Sequence, residues 1–389
     1  MRSSVLARRV LNVCLCAAAV MSIAAGCSTT ASNVTVDGNT LTLYASAPPG
    51  AAGDQAAADV LAAEQLAFRQ SGSKVGKLTL KFVRLTGAKA SDNARSAIED
   101  DTSIAYLGEL DPGLSADSLG ITNAQDLLQV TPTDTAAALT QVNATVPDSP
   151  NRYYESLGTY GRTFARVVPT TSLEAKAQVQ EMQSLHVSRL YVTGDGSQYG
   201  RAIAQAVRTD APTAGVTVTQ SRAGADAIFY GGISETAAAA AFNSAASSTP
   251  AVKLFGPSAL DSSSFASKLS PSVRAVYLSS PGLMTKDLSA TAKNEFLKPF
   301  MDAYHRAPSP QAIFGYEAMS AVLSVLHKAG TSATDRDTVV HDFFAIKNRD
   351  SVLGTYSINA NGDTNLAPFV FSRMVGGKLV PFKSVQVQG

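Results

Sequence analysis

From Leu41 onward, short apolar runs alternate with helical stretches, and the alternation occurs twice. In the first series LTLYAS (41–46) reads as a strand, followed by a helix over roughly 54–69 that Gly72 can cap. KLTLKFVRL (77–85), a short helix over 91–99, SIAYLGE (103–109) and LLQVTPT (127–133) continue it, with an alanine-rich turn of helix behind the last. The second series runs through TFARVVPT (163–170), a helix over 172–185, SRLYVTGD (188–195), a helix over 198–208 and VTVTQSR (216–222). DAIFYGG (226–232), a helix over 235–246, AVKLFGPS (251–258) and AVYLSSPG (275–282) complete it. Buried strands separated by helices form parallel sheets covered on both faces. The pattern therefore predicts an α/β fold of two doubly wound lobes.

One connection breaks the rule. Only residues 223–225 separate VTVTQSR from DAIFYGG, whereas a parallel crossover needs a dozen or so residues. These two strands are expected not to be parallel neighbours; 216–222 should turn antiparallel or leave the sheet, and lobe two should be reduced. Beyond residue 284 the chain is mostly helical, over 289–306, 311–330 and 336–347. GTYSINANGDT (354–364) then reads as strand and turn, and FVFSRMVGGKLVPF (369–382) as a hairpin around Gly376 and Gly377. Helices placed after the second series suggest that the chain passes between the lobes more than once.

The N-terminus has a different character. Arg8 and Arg9 precede an apolar run over 11–25, and Ala24, Ala25 and Gly26 stand directly before Cys27. This is the layout of a secretory signal peptide, too short for an ordinary membrane span. The small residues before Cys27 resemble a bacterial lipobox, which makes Cys27 a candidate for lipidation with residues 1–26 removed. An ordinary signal peptide cut near Gly26, or an uncleaved anchor, remain alternatives. Residues 27–40 are small and polar enough to serve as a flexible tether. The expected location is extracytoplasmic, held by lipid at the cell membrane.

Composition narrows the function classes. Lys and Arg number 32 against 31 Asp and Glu, a net charge of +1 that gives no sign of a nucleic-acid partner. The three cysteines, Cys14, Cys16 and Cys27, all lie in the leader or at its end, so the folded part has no disulfide and no thiol nucleophile. His186, His305, His327 and His341 are scattered without metal-ligand spacing. No GxSxG, HExxH or GxxxxGK[ST] motif occurs. GDGSQYG (194–200) follows a strand and opens a helix, but it reads GxGxxxG, and no acidic residue ends the next strand. Neither an enzyme nor a bound cofactor or metal is expected.

Four stretches carry a resemblance. They are 106–140, 164–204, 314–330 and 337–380, the second including Tyr199-Gly200 at a helix start. In that order and spacing the chain resembles the type I periplasmic binding proteins that serve branched-chain amino acid ABC importers. The resemblance implies two Rossmann-like lobes joined by a three-crossover hinge. Crossings should fall near 161–166, 279–284 and 351–355, with lobe one at 41–163 plus 284–352 and lobe two at 164–283 plus 353–389. It also implies a ligand held between the lobes beyond the strand ends, delivered by a monomer to a membrane permease.

Carried onto this sequence, the resemblance leaves a candidate ligand set of Asp111, Pro112, Thr133, Asp134, Thr135, Thr171, Tyr199, Ile233 and Ser258. In it, Asp111 and Asp134 lie near the family's loops and would offer new charge on the side where a carboxylate should lie. Thr133 and Thr135 sit at the strand end that contacts a carboxylate, and Tyr199 keeps an aromatic wall. Pro112 stands where the family places a serine, which removes a hydroxyl and an N–H donor. Thr171 and Ser258 stand where acids usually balance a ligand ammonium. Structural roles compete at each position. Thr133 and Thr135 could cap a short helix, Tyr199 could pack, Asp111-Pro112-Gly113 is turn sequence, and Ser258 could open a helical turn. The reading is an ABC-importer substrate-binding lipoprotein whose solute need not be leucine-like. A sensory or assembly lipoprotein on the same fold is the alternative; an extracytoplasmic hydrolase is the third.

Overall fold

The computed structural model describes residues 34–47, 54–154, 158 and 161–387. The leader, the Cys27 lipidation position and the tether up to Asn33 lie outside the described residues. Among those described, no helix is long and apolar enough to cross a membrane.

The first sheet holds β1 (Thr40–Ser46), β2 (Lys74–Val75), β3 (Leu78–Leu85), β4 (Ser103–Leu107), β5 (Leu128–Thr131) and β6 (Phe164–Arg166). Its order is β2-β3-β1-β4-β5-β6, parallel throughout except where β2 meets β3. The second sheet holds β7 (Arg189–Gly194), β8 (Thr217–Thr219), β9 (Ala227–Gly231), β10 (Lys253–Gly256), β11 (Val276–Pro281), β12 (Pro368–Val375) and β13 (Lys378–Gln386). Its order is β13-β12-β11-β10-β9-β7-β8; the β12–β13 hairpin turns at Gly376-Gly377, and β12 is antiparallel to both of its neighbours, β11 and β13.

The helices are α1 (Gln55–Ser71), α2 (Ala90–Ile98), α3 (Leu119–Asn123), α4 (Thr171–Ser184), α5 (Gln198–Asp210), α6 (Glu235–Ser248) and α7 (Ser263–Lys268). They continue with α8 (Ala290–Ala292), which runs through a π segment (Lys293–Leu297) into α9 (Lys298–Tyr304), then α10 (Ala312–Ala329) and α11 (Arg336–Phe344). The expected single helix over 289–306 is thus a helix with a wide turn inside it. Side chains cap several starts: Asp54 accepts from the Ala56 N–H, Ser197 from Gly200 and Ser234 from Ala237.

Helix α10 buries 13 of its 18 residues, because it lies between α1 and α11 on the first lobe. Gly315 makes the α1 contact possible. A Cβ there would stand 2.3 Å from the Val60 carbonyl oxygen, so one helix backbone rests on the other. Gly315→Ala is expected to cost about 1–3 kcal/mol by forcing the helices apart, read as a lower urea midpoint. An unchanged midpoint would show that the helices part freely.

Four expectations need correction. The expected strand 216–222 shrinks to β8 (217–219), which neither turns antiparallel nor leaves the sheet but pairs parallel with the far side of β7. A helix is unnecessary between β8 and β9 because β8 is only three residues long. The link 220–226 spans up to about 23 Å, enough to return along β8 and cross two strand spacings. What lobe two lacks is a helix rather than a strand.

Second, Phe164–Arg166 pairs with β5, so lobe one extends past residue 163, and the first crossing falls after Val168. Third, residues 354–364 form no strand. Ile358 bridges Thr364 within the segment, which folds back on lobe one through the bridge Arg349↔Tyr356 and the buried Tyr356 and Ile358, and the Tyr356 hydroxyl donates to Glu317 Oε1 at 2.8 Å. The third crossing therefore comes between Leu366, packed on the lobe-one core, and Ala367, packed on lobe two. The second crossing lies at 281–283, where Pro281 ends β11 and Leu283 joins the lobe-one core. Fourth, the tether does not extend to residue 40. Val36 is buried and donates its N–H to the Thr334 carbonyl, while Thr35 bridges Asp335, because the alternation in VTV suits an edge of the fold.

Candidate functional site: a cleft between the lobes

A cavity of about 800 Å³ opens between the two sheets at the carboxyl ends of their strands. Lobe one contributes Asp54 at the start of α1, the loop Leu110–Leu114 after β4, and Thr133 after β5. Lobe two contributes Thr171, Gln198, Tyr199, Ile233, Glu235 and the segment Ser258–Asp261. Across the mouth, the Gln198 side-chain amide donates to the Tyr153 hydroxyl at 2.5 Å, one bond from lobe to lobe.

Seven of the nine positions read from the sequence line this cavity: Asp111, Pro112, Thr133, Thr171, Tyr199, Ile233 and Ser258. They come from both lobes and are as far apart in sequence as residues 111 and 258. Asp134 and Thr135 do not line it, which corrects that part of the set. Asp134 is fully buried, and its carboxylate accepts from the N–H groups of Gly113 at 2.6 Å, Ser115 at 2.9 Å and Ala136 at 2.9 Å. It shapes the loop rather than facing a solute. Burial raises its pKa, while the charge of Arg166 and those N–H groups work against the rise. Thr135 is also buried, and its carbonyl accepts from both the N–H and the hydroxyl of Thr171, a tie between lobes beside the first crossing.

Of the seven, Ile233 is 52% exposed on the rim. Asp195 holds it there, accepting from the N–H groups of Ile233 at 2.7 Å and Ser234 at 2.8 Å. Thr133 donates its hydroxyl to the Leu110 carbonyl at 2.6 Å, which leaves mainly its methyl to the cavity. Tyr199 is walled in by lobe two, and its hydroxyl donates to Glu174 Oε2 at 3.2 Å.

Glu174 was not among the positions read from the sequence. It is fully buried behind the cleft, where its carboxylate accepts from the Ser258 N–H at 2.6 Å, the Ser258 hydroxyl at 3.1 Å and the Ser279 hydroxyl at 2.8 Å. Burial raises its pKa against those donors. Glu174 follows Thr171 by three residues in α4, so both point the same way, and helical spacing was the signal that could have found it.

The glycines of GDGSQYG have a packing role. A Cβ at Gly194 would stand 2.1 Å from the Gly231 carbonyl oxygen, and one at Gly200 would stand 2.6 Å from it. The end of β7 and the first turn of α5 lie directly on the end of β9. All four histidines are exposed, with His186 and His305 at helix ends in the left-handed conformation. Among the described residues no group of His, Cys, Asp or Glu could hold a metal ion.

Two mixed α/β lobes, three crossings and a cavity at the strand ends define the type I periplasmic binding protein fold. The solved structures agree. A leucine-binding protein from Thermotoga maritima superposes with a TM-score of 0.71 at 18% identity, covering 89% of this chain and 99% of its own. A branched-chain amino acid transporter substrate-binding protein from Streptococcus pneumoniae, in complex with isoleucine, gives 0.69 at 17% over 90% and 100%. An ABC-transporter solute-binding protein from R. palustris, in complex with benzoate, gives 0.67 at 15% over 90% and 97%. No protein-family model and no curated protein sequence matches the chain.

Proposed function

We propose that this chain is an extracytoplasmic substrate-binding lipoprotein, anchored through Cys27, that captures a small solute between its lobes and delivers it to an ABC permease. The cavity carries this reading. About 800 Å³ suits a small organic molecule, and it lies between two halves linked by three chain crossings, the arrangement that lets lobes close around a ligand. The leader before Cys27 supports export and anchoring, and the structural relatives named above bind leucine, isoleucine or benzoate.

Thermal unfolding against a panel of amino acids, amines, carboxylates, polyamines and sugars tests the binding half. A solute at about a hundred times its dissociation constant stabilises the native state by roughly 2.7 kcal/mol, a clear rise in Tm. If none raises Tm, the sensory or assembly reading replaces import. Anchoring is tested separately. Cys27→Ser is expected to move the protein from the membrane fraction to the soluble extracytoplasmic fraction, and a variant that stays on the membrane would indicate an uncleaved anchor.

A further inference from the structure

The cavity makes the site; the chemistry of its wall selects the solute. We propose, building on the solute-binding reading, that the cleft takes an organic cation with an apolar body and no carboxylate, such as an alkyl or aryl amine or a guanidine. Two independent observations converge on this class.

The first is the state of the donors that a carboxylate would need. In the loop after β4, Pro112 has no N–H. The N–H groups of Gly113 and Ser115 are both held by the Asp134 carboxylate, and that of Leu114 donates to the Asp111 carbonyl at 3.0 Å. Beyond β5, the N–H groups of Thr133 and Asp134 donate to the Thr131 hydroxyl at 3.2 and 2.8 Å, and that of Ala136 to Asp134. Three of the helix starts at the cleft are occupied as well. Asp54 caps α1, Ser197 caps α5, and Ser234 caps α6, with Glu235 in its first turn. Lysine, arginine and histidine are absent from the described lining. A ligand carboxylate brought to these loops would lose its water and gain none of the donors named here, a cost of several kcal/mol.

The second observation is the charge already present. Asp54 and Asp111 from lobe one, and Glu235 and Asp261 from lobe two, line the same cavity. Burial raises the pKa of Asp54, Asp111 and Asp261, and the Asp54 charge adds to the rise at Asp111 and Asp261, as the Glu235 charge does at Asp54. Glu235 is matched by Lys268 at 2.6 Å, whereas among the described residues Asp111 and Asp261 have no such cation. The Asp261 carboxylate meets the Ser372 hydroxyl at 3.3 Å, and burial, with the neighbouring acids, pushes its pKa up to about 7. The four acids do not form a metal-holding group, which leaves a larger cation. Around them, Ala57, Leu110, Leu114, Ala137, Ile233 and Pro281 give an apolar wall for a hydrocarbon body. A desolvated cation between such carboxylates gains strongly from both lobes at once.

The test is thermal unfolding and titration calorimetry on the full chain at fixed ionic strength, with phenethylamine, agmatine and putrescine beside leucine and benzoate. An amine is expected to raise Tm while leucine and benzoate leave it unchanged. Asp261→Asn and Asp111→Asn should each weaken amine binding at least about tenfold. Both variants remove repulsion, so an unliganded Tm at or above that of the parent confirms that each folds. Stabilisation by leucine or benzoate, or amine binding untouched by both variants, overturns the cation assignment while leaving solute binding intact. Silence across all five probes and the wider panel above overturns both.

Discussion

Replacing Asp363 by alanine is expected to lower stability by about 3–5 kcal/mol, a third or more of what a domain of ordinary stability possesses. Asp363 lies three residues before the third crossing begins at Leu366 and pairs with Arg166 of β6 at 2.9 Å, both side chains almost wholly buried. The same guanidinium donates to the carbonyls of Asp134 at 2.8 Å and Ala136 at 2.9 Å, and the Thr140 hydroxyl donates to Asp363 Oδ1 at 2.8 Å. Removing one partner leaves a charge out of water with no counter-charge, which costs far more than the pair gains in being formed. The double replacement Arg166→Met with Asp363→Leu should therefore recover much of the loss. Urea unfolding of the three variants reads the result; a loss below about 1 kcal/mol for Asp363→Ala would falsify the view that this pair secures the crossing. Because Arg166 grips the loop that bounds the cleft, Asp363→Ala should also weaken whatever solute binds there.

Glu64→Leu is expected to act in the opposite direction and to stabilise the protein. Glu64 is fully buried in α1, and neither carboxylate oxygen has a hydrogen-bond partner. Burial pushes its pKa from an ordinary 4.5 up to about 8, with the Arg84 charge opposing the rise. A carboxyl whose pKa is higher in the folded state keeps its proton there after the unfolded chain has released it. Its contribution to stability is therefore most favourable below pH 4.5 and declines as pH rises through 8. At pH 7 the accumulated cost is about 3 kcal/mol. The gain from Glu64→Leu should be smallest near pH 4 and grow by about that amount to pH 7, a difference visible in paired urea melts. A pH-independent gain would mean that Glu64 ionises as easily inside as outside.

Part of the site was hidden in the sequence because the roles of its residues are set by distant partners. Asp134 follows a strand end within a Thr-Asp-Thr stretch, where any carboxylate looks available to a ligand. Its role came from three N–H groups, one of them 21 residues upstream. Pro112, by contrast, could be judged directly, because a missing N–H is a property of the residue itself. Arg166 and Asp363 drew no notice, since the partners are almost two hundred positions apart. The acids of the cleft were equally dispersed; Asp54 reads as a helix cap, Asp261 as a loop residue, and only the tertiary fold brings them to one cavity.

The α/β class, the two strand–helix series, the hairpin at Gly376-Gly377 and most strand positions were legible in residue order alone. These follow from alternation and helical spacing, which record burial over a few residues at a time. The tertiary structure decided which sheet received Phe164–Arg166, how β8 could stay parallel beside β7, and where the chain made its third crossing. It also decided which polar groups faced the cavity and which were already engaged. Those outcomes depend on pairings between distant segments, and a hydrogen bond or ion pair leaves no local periodicity by which its partner could be read.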